Sequence, residues 1–169
     1  MGKGKSKRWW GWNGEKDMVV PIFKTALAEL TFKDDSLIKD LTEFAKRETH
    51  HVMVKIIEER FKEIPPDHML PLMYLLDSMC KNLPGYMNHF SKNLVSNFAF
   101  VFEQVSVEDR SQLYQLRVTW GEARPPLQMF KPKQIGKILQ KLDLRIKEMD
   151  PAWPIQSLRT VDSGSDWCK

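Results

Sequence analysis

Only two cysteines, Cys80 and Cys168, occur in 169 residues. That is too few for a disulfide framework, and a reducing compartment is the natural setting. Cys80 reads most simply as a small buried hydrophobe. No apolar run approaches the ~18 residues of a membrane span. No apolar stretch follows the basic N-terminal residues, so a secretory signal is not expected. Catalytic and metal motifs are missing as well. There is no HExxH, CxxC or carboxylate cluster with metal spacing, no P-loop, no GxGxxG and no GxSxG. Of the four histidines, His50 and His51 are adjacent and cannot share one helix face, while His68 and His89 stand alone. No cofactor, no metal and no enzymatic activity are expected, which leaves a binding module as the default. Strict β-alternation is absent, and no fixed-period repeat is visible.

What is present is a soluble-domain composition, 42% hydrophobic and 28% charged, in a length that suits one domain. The net charge of +4 is uneven. Residues 1–20 hold five Lys and Arg (Lys3, Lys5, Lys7, Arg8, Lys16) against Glu15 and Asp17. The rest of the chain is therefore nearly neutral and a poor general coat for nucleic acid, so such a role needs a local patch. Residues 1–17, Gly-rich and basic with Trp9, Trp10 and Trp12, read as a disordered tail, as do residues 157–169. Residues 18–156 read as the folded domain.

Within it, amphipathic helices follow one another. Their apolar stripes are Ile22, Phe23, Ala26, Leu27 and Leu30; then Leu37, Ile38, Leu41, Phe44 and Ala45, with Asp34, Asp35 or Ser36 as cap; then Val52, Ile56, Ile57 and Phe61, ended by Pro65 and Pro66. A long helix is predicted from Tyr86 to about Val105, with Phe90, Leu94, Phe98, Val101 and Phe102 inward. Ser106 and Asp109 look like a capping box for the helix after it. "GEARPPLQMFKP" is irregular, and a last helix turns Ile135, Ile138, Leu139, Leu142 and Ile146 inward. Seven or eight helices with short connections make an all-α domain of antiparallel neighbours.

The stretch "LPLMYLLDSMCKNLPGY", residues 70–86, is the informative one. At about 100° per residue, Leu72, Leu76, Met79, Cys80 and Leu83 gather on one side, and Tyr74, Asp77, Ser78, Lys81 and Asn82 on the other. The plainest reading of the polar strip is a solvated face with an Asp77–Lys81 pair at i,i+4. Yet Tyr and Asn stand where Glu or Lys would favour a helix more. The strip also borders Leu75 and Met79, and apolar contact beside hydrogen-bonding groups suits a groove for a short peptide.

"LPLMYLLDSMCKN" resembles the "DSIxKN" signature of the CTD-interacting domain (CID), which binds the heptad-repeat tail of the largest RNA polymerase II subunit. "LAELTF" is similar to that family's "LEELTFNS", and the likeness continues through "FSKNLVSNFAFVFEQVSVEDRSQLYQLRVTW". "LDLRIKEMDPAWPI" resembles one branch, the Pcf-eleven type subunit of the pre-mRNA cleavage complex and termination machinery. The likeness spans about residues 18–156. It implies about eight helices in a right-handed superhelical arrangement, akin to the ENTH and VHS domains of trafficking adaptors. It implies a groove on the second, fourth and seventh helices that takes the tail as a β-turn, best with its second serine phosphorylated. It implies nuclear work with other cleavage-factor subunits in mRNA 3′-end cleavage, polyadenylation and termination.

Carried over by resemblance, Asp77 matches the aspartate that bonds the heptad tyrosine. Met79 stands where the family has Ile beside the ring and the proline; Ser78, Lys81 and Asn82 match the signature, and Tyr74 the aromatic before it. Lys33 replaces the Asn after "LTF", where its charge can help hold a phosphate. Gln115 stands where strong phosphoserine binders carry Arg, so a bidentate clamp is missing there. Gln112, Gln115 and Thr119 share a helix face and remain groove candidates, with Arg117 outside.

Two other features carry their own readings. Lys133, Lys137, Lys141 and Arg145 recur every four residues, as a solvated face or as a patch for weak RNA or phosphate contact. "MGKGKS" fits a loose myristoylation pattern at Gly2. It supports the alternative of an ENTH/VHS-like membrane-trafficking adaptor with a lipidated basic N-terminus. The same residues serve equally as a nuclear import signal or a flexible basic arm.

Overall fold

The computed structural model describes residues 18–121 and 132–153, with the side chains of 132–135 excepted. Eight α-helices and one short 3-10 turn occur among the described residues, and no strand. The chain divides after Phe90 into two compact units.

The first unit holds α1 (Val19–Ala28), α2 (Asp35–Ala45), α3 (His50–Glu63), a 3-10 turn (Pro66–His68), α4 (Met69–Asn82) and α5 (Pro84–Phe90). Among the three cap candidates of α2, Asp34 takes the role: its carboxylate accepts from the Leu37 N–H at 3.1 Å. α3 stops at Ile64, in extended conformation before Pro65, as a residue preceding proline favours. α4 buries ten of its fourteen residues and packs on α2, α3 and α5, which makes it the central helix. Phe23 of α1 stacks on Phe44 of α2 at 5.4 Å between ring centres. Tyr86 of α5 is fully buried and donates its hydroxyl to the Ala45 carbonyl, tying α5 to the end of α2.

The second unit holds α6 (Leu94–Gln104), α7 (Val107–Gly121) and α8 (Pro132–Met149). The single long helix predicted from Tyr86 to Val105 is in fact two, α5 and α6, with a turn at residues 91–93. Its run of inward aromatics hid the break. Asn93 abandons helical geometry at the N-cap of α6, with no side-chain capping bond. Ser106 caps α7 as expected, its hydroxyl accepting from the Asp109 N–H at 3.2 Å. Trp153, from the "DPAWPI" stretch, is buried edge-on against Phe102 at 5.2 Å and Tyr114 at 5.8 Å. Arg117 donates to both carboxylate oxygens of Asp143 from Nε and Nη2, one edge of its guanidinium, linking α7 to α8. The tail residues Trp9, Trp10, Trp12, Gly2 and Cys168, and the irregular connection, lie outside the described residues, as do the side chains of Lys133 and Ile135.

Candidate functional site

The polar strip exists on α4, but it is narrower and deeper than helical periodicity suggests. Helix-wheel reasoning assigns one apolar face. The packing of α4 on three neighbours instead buries Leu70, Met73 and Leu75 along with Leu72 and Leu76. Leu75 and Met79 are fully buried, so neither offers a peptide the apolar flank expected of it. Met79 lies in the core, on the apolar side where helical periodicity placed it. Asp77, expected on an open face, is only 9% exposed. Tyr74, Ser78 and Lys81 are half-buried, and Asn82 is exposed.

A carboxylate this buried needs compensation. Lys81 provides it one helical turn on, its Nζ 2.8 Å from Oδ1 and 2.9 Å from Oδ2 of Asp77. The pair remains partly open, with the Lys81 side chain 21% and the Asp77 side chain 12% exposed. It presents a fixed, narrowly exposed carboxylate, suited to accept a hydrogen bond from a ligand hydroxyl. The same carboxylate stands near Cys80. Burial pushes the Cys80 thiol well above its ordinary value, the charge of Asp77 adds to that rise, and Lys81 opposes it. Cys80 is thus an inert core thiol, as its sequence context suggested.

Toward the N-terminal end of the strip, Lys33 from the α1–α2 connection lies with its ammonium 5.0 Å from the centre of the Tyr74 ring. This cation–π contact joins two residues forty-one positions apart and brings a positive charge to the strip. Phe32 beside it is 63% exposed. Toward the C-terminal end, Ser78 meets Thr42 of α2, with the two hydroxyl oxygens 3.0 Å apart. Thr42 is a site residue that sequence reasoning missed. The signal was there: Ile38, Leu41 and Ala45 form a buried stripe, and Thr42 lies on it as its polar member. A buried hydroxyl needs partners, and Thr42 finds them in Ser78 and in the Ile38 carbonyl at 2.7 Å.

The remaining sequence candidates are in the second unit. Gln112, Gln115 and Thr119 are exposed on α7, Thr119 donating to the Leu116 carbonyl at 2.7 Å. Arg117 is engaged with Asp143, which leaves it a structural role. Lys137, Lys141 and Arg145 are exposed on α8, with Arg145 held by Glu148 at 3.0 Å. His89, which the sequence left isolated, sits 6.1 Å from His50 and 6.4 Å from His51, ring centre to ring centre. Among the described residues no group of three or more His, Cys, Asp or Glu is arranged to hold a metal ion.

A family model described as the CID domain matches residues 21–138. The chain is 32% identical over 143 residues to the polyadenylation and cleavage factor homolog 11 of Caenorhabditis elegans, a match covering 82% of this chain and 16% of that protein. It is 30% identical over 132 residues to protein PCF11 of Saccharomyces cerevisiae, covering 76% of this chain and 21% of that one. A solved structure described as the RPR of Pcf11 matches with a TM-score of 0.68 at 28% identity, over 76% of this chain and 98% of that one. The chain thus spans about a fifth or less of the length of these curated relatives.

Proposed function

The chain belongs to the CID domain family, and on that premise we propose that it binds the heptad-repeat C-terminal tail of the largest RNA polymerase II subunit, preferring phosphorylation at the second serine. In this reading it works in the nucleus with other cleavage-factor subunits. It couples transcription to mRNA 3′-end cleavage, polyadenylation and termination, as a recognition module with no chemistry of its own. The observation that carries the proposal is the Asp77–Lys81 pair, a carboxylate fixed at the surface of α4 and flanked by Tyr74, Ser78 and Asn82. The carboxylate suits a tyrosine hydroxyl, and the Lys33 ammonium over Tyr74 suits a phosphate nearby. Gln112, Gln115 and Thr119, exposed on α7, remain candidate peptide contacts of the second unit by resemblance.

Titration of heptad peptides, with and without phosphate on the second serine, tests this reading. Binding that is specific for the heptad and weakened in Asp77→Asn supports it; equal binding of a scrambled peptide overturns it. The exposed Lys137 and Lys141 support an additional, sequence-blind contact with RNA, which must weaken as salt rises. The membrane-adaptor alternative is not favoured, since a matched relative is named a polyadenylation and cleavage factor homolog.

A further inference from the structure

Ser78 has one hydroxyl proton, and its neighbours decide where that proton goes. Thr42 Oγ1 lies 2.7 Å from the Ile38 carbonyl oxygen. A carbonyl cannot donate, so the Thr42 proton is committed to it. The Thr42 and Ser78 hydroxyl oxygens are 3.0 Å apart. With the Thr42 proton spent, Ser78 is the donor of that bond. On the other side, Asn82 Nδ2 lies 2.8 Å from the Ser78 carbonyl oxygen and 3.4 Å from Ser78 Oγ. Both of these oxygens accept, which fixes the orientation of the amide and turns Oδ1 away from them. The protons therefore all run one way, from Asn82 to Ser78 to Thr42 to the Ile38 carbonyl. The chain begins on exposed α4 surface and ends inside α2, where Thr42 is 4% exposed.

We infer that Ser78 Oγ, its proton withdrawn toward Thr42, selects a hydrogen-bond donor, a backbone N–H of the bound peptide. Thr42, which touches no ligand, is the positioning residue that imposes this polarity. The inference rests on the peptide-binding reading above and adds to it which chemical group the peptide must present. A hydroxyl is ordinarily ambivalent; here its proton is withdrawn into the protein, so Ser78 faces the ligand with lone pairs only. The position on the helix acts in the same sense. Asn82 ends α4 and Ser78 lies one turn before it, near the carbonyl end that carries partial negative charge. A peptide N–H is welcome there, and a peptide carbonyl or a phosphate is not.

The test uses the full chain and heptad-repeat peptides in which one backbone amide at a time is replaced by an ester, which removes a single N–H. Calorimetry on the wild type is expected to show one ester analogue binding about three- to tenfold more weakly than the parent, the size of one neutral hydrogen bond. Ser78→Ala is expected to bind parent and analogue alike. Thr42→Ser keeps the relay and should keep the ester penalty. Thr42→Val has nearly the same shape but frees the Ser78 proton, and should shrink the penalty. If Thr42→Val fails to fold, the half-buried Ser78→Ala still decides the matter. An ester series with no penalty anywhere, or a penalty unchanged in Ser78→Ala, overturns the inference while leaving the heptad reading intact. A wild-type chain that does not bind the parent peptide overturns both.

Discussion

Lys81 and Asp77 are clasped one helical turn apart, the ammonium 2.8 Å from one carboxylate oxygen and 2.9 Å from the other. The Asp77 oxygens are thereby set in place before any ligand arrives. Asp77→Asn keeps the shape and removes the charge. It is expected to cost about 1–3 kcal/mol of heptad-peptide affinity, the range for a hydrogen bond to a charged group. Fluorescence anisotropy measures it. Because Asp77 is buried and paired, Asp77→Ala should also lower stability, and a urea titration separates the two effects.

Leu76 is fully buried on the opposite side of the same helix. Leu76→Ala is expected to lose about 2–5 kcal/mol of stability through lost burial and the cavity left behind. The urea midpoint must fall. An unchanged midpoint would mean that the faces of α4 are inverted.

Gly85 is required by its neighbour rather than by its backbone. A Cβ built there would collide with the His50 imidazole, which lies tilted against Tyr86 with 4.3 Å between ring centres. Gly85→Ala must turn that half-buried ring away from Tyr86, at a cost of about 1 kcal/mol, the low end for overpacking. Adding His50→Ala removes the clashing group, so the two substitutions should be strongly non-additive in a double-mutant cycle.

Cys80 holds its proton more tightly folded than unfolded, because burial raises its thiol well above the ordinary value. An acid raised in this way leaves stability untouched below the unfolded value. Stability then falls as pH climbs from about 9 toward the raised value, because only the unfolded chain ionises. Cys80→Ala should flatten that alkaline slope in urea midpoints measured across pH. Peptide mapping after a short alkylation pulse should find Cys80 unmodified until the chain is unfolded.

The phosphate preference is expected to be under about tenfold and to shrink as salt rises, since a screened charge near a surface is worth about 0–1 kcal/mol. Lys33→Gln should reduce it further by taking away the ammonium above Tyr74. Gln115→Arg should raise it by about 1–2 kcal/mol, through a charge-assisted bond that the exposed Gln115 does not make. Calorimetry with paired peptides at two salt concentrations decides. A large, salt-insensitive preference in the wild type, or an equal gain for both peptides in the mutant, would contradict this account.

What the amino-acid order determined by itself was whatever depends on neighbours along the chain. The 3.6-residue period placed Phe23, Leu27, Leu41, Ile57, Phe61 and Leu142 inward, and all six are buried. Caps and breakers marked Pro65, Ser106 and the cap region at residues 34–36, because a cap is a local hydrogen bond and proline a local constraint. The strip of Tyr74, Asp77, Ser78, Lys81 and Asn82 was legible for the same reason, as was its likeness to the CID signature. Tertiary structure alone decided how many sides of α4 are covered. Periodicity assigns a helix one buried face, but a helix packed on three others buries several, and so Leu70, Met73, Leu75 and most of Asp77 went inside. It alone also brought Lys33 to Tyr74 and Thr42 to Ser78, since residues more than thirty positions apart meet only through the packing of the helices and loops that carry them.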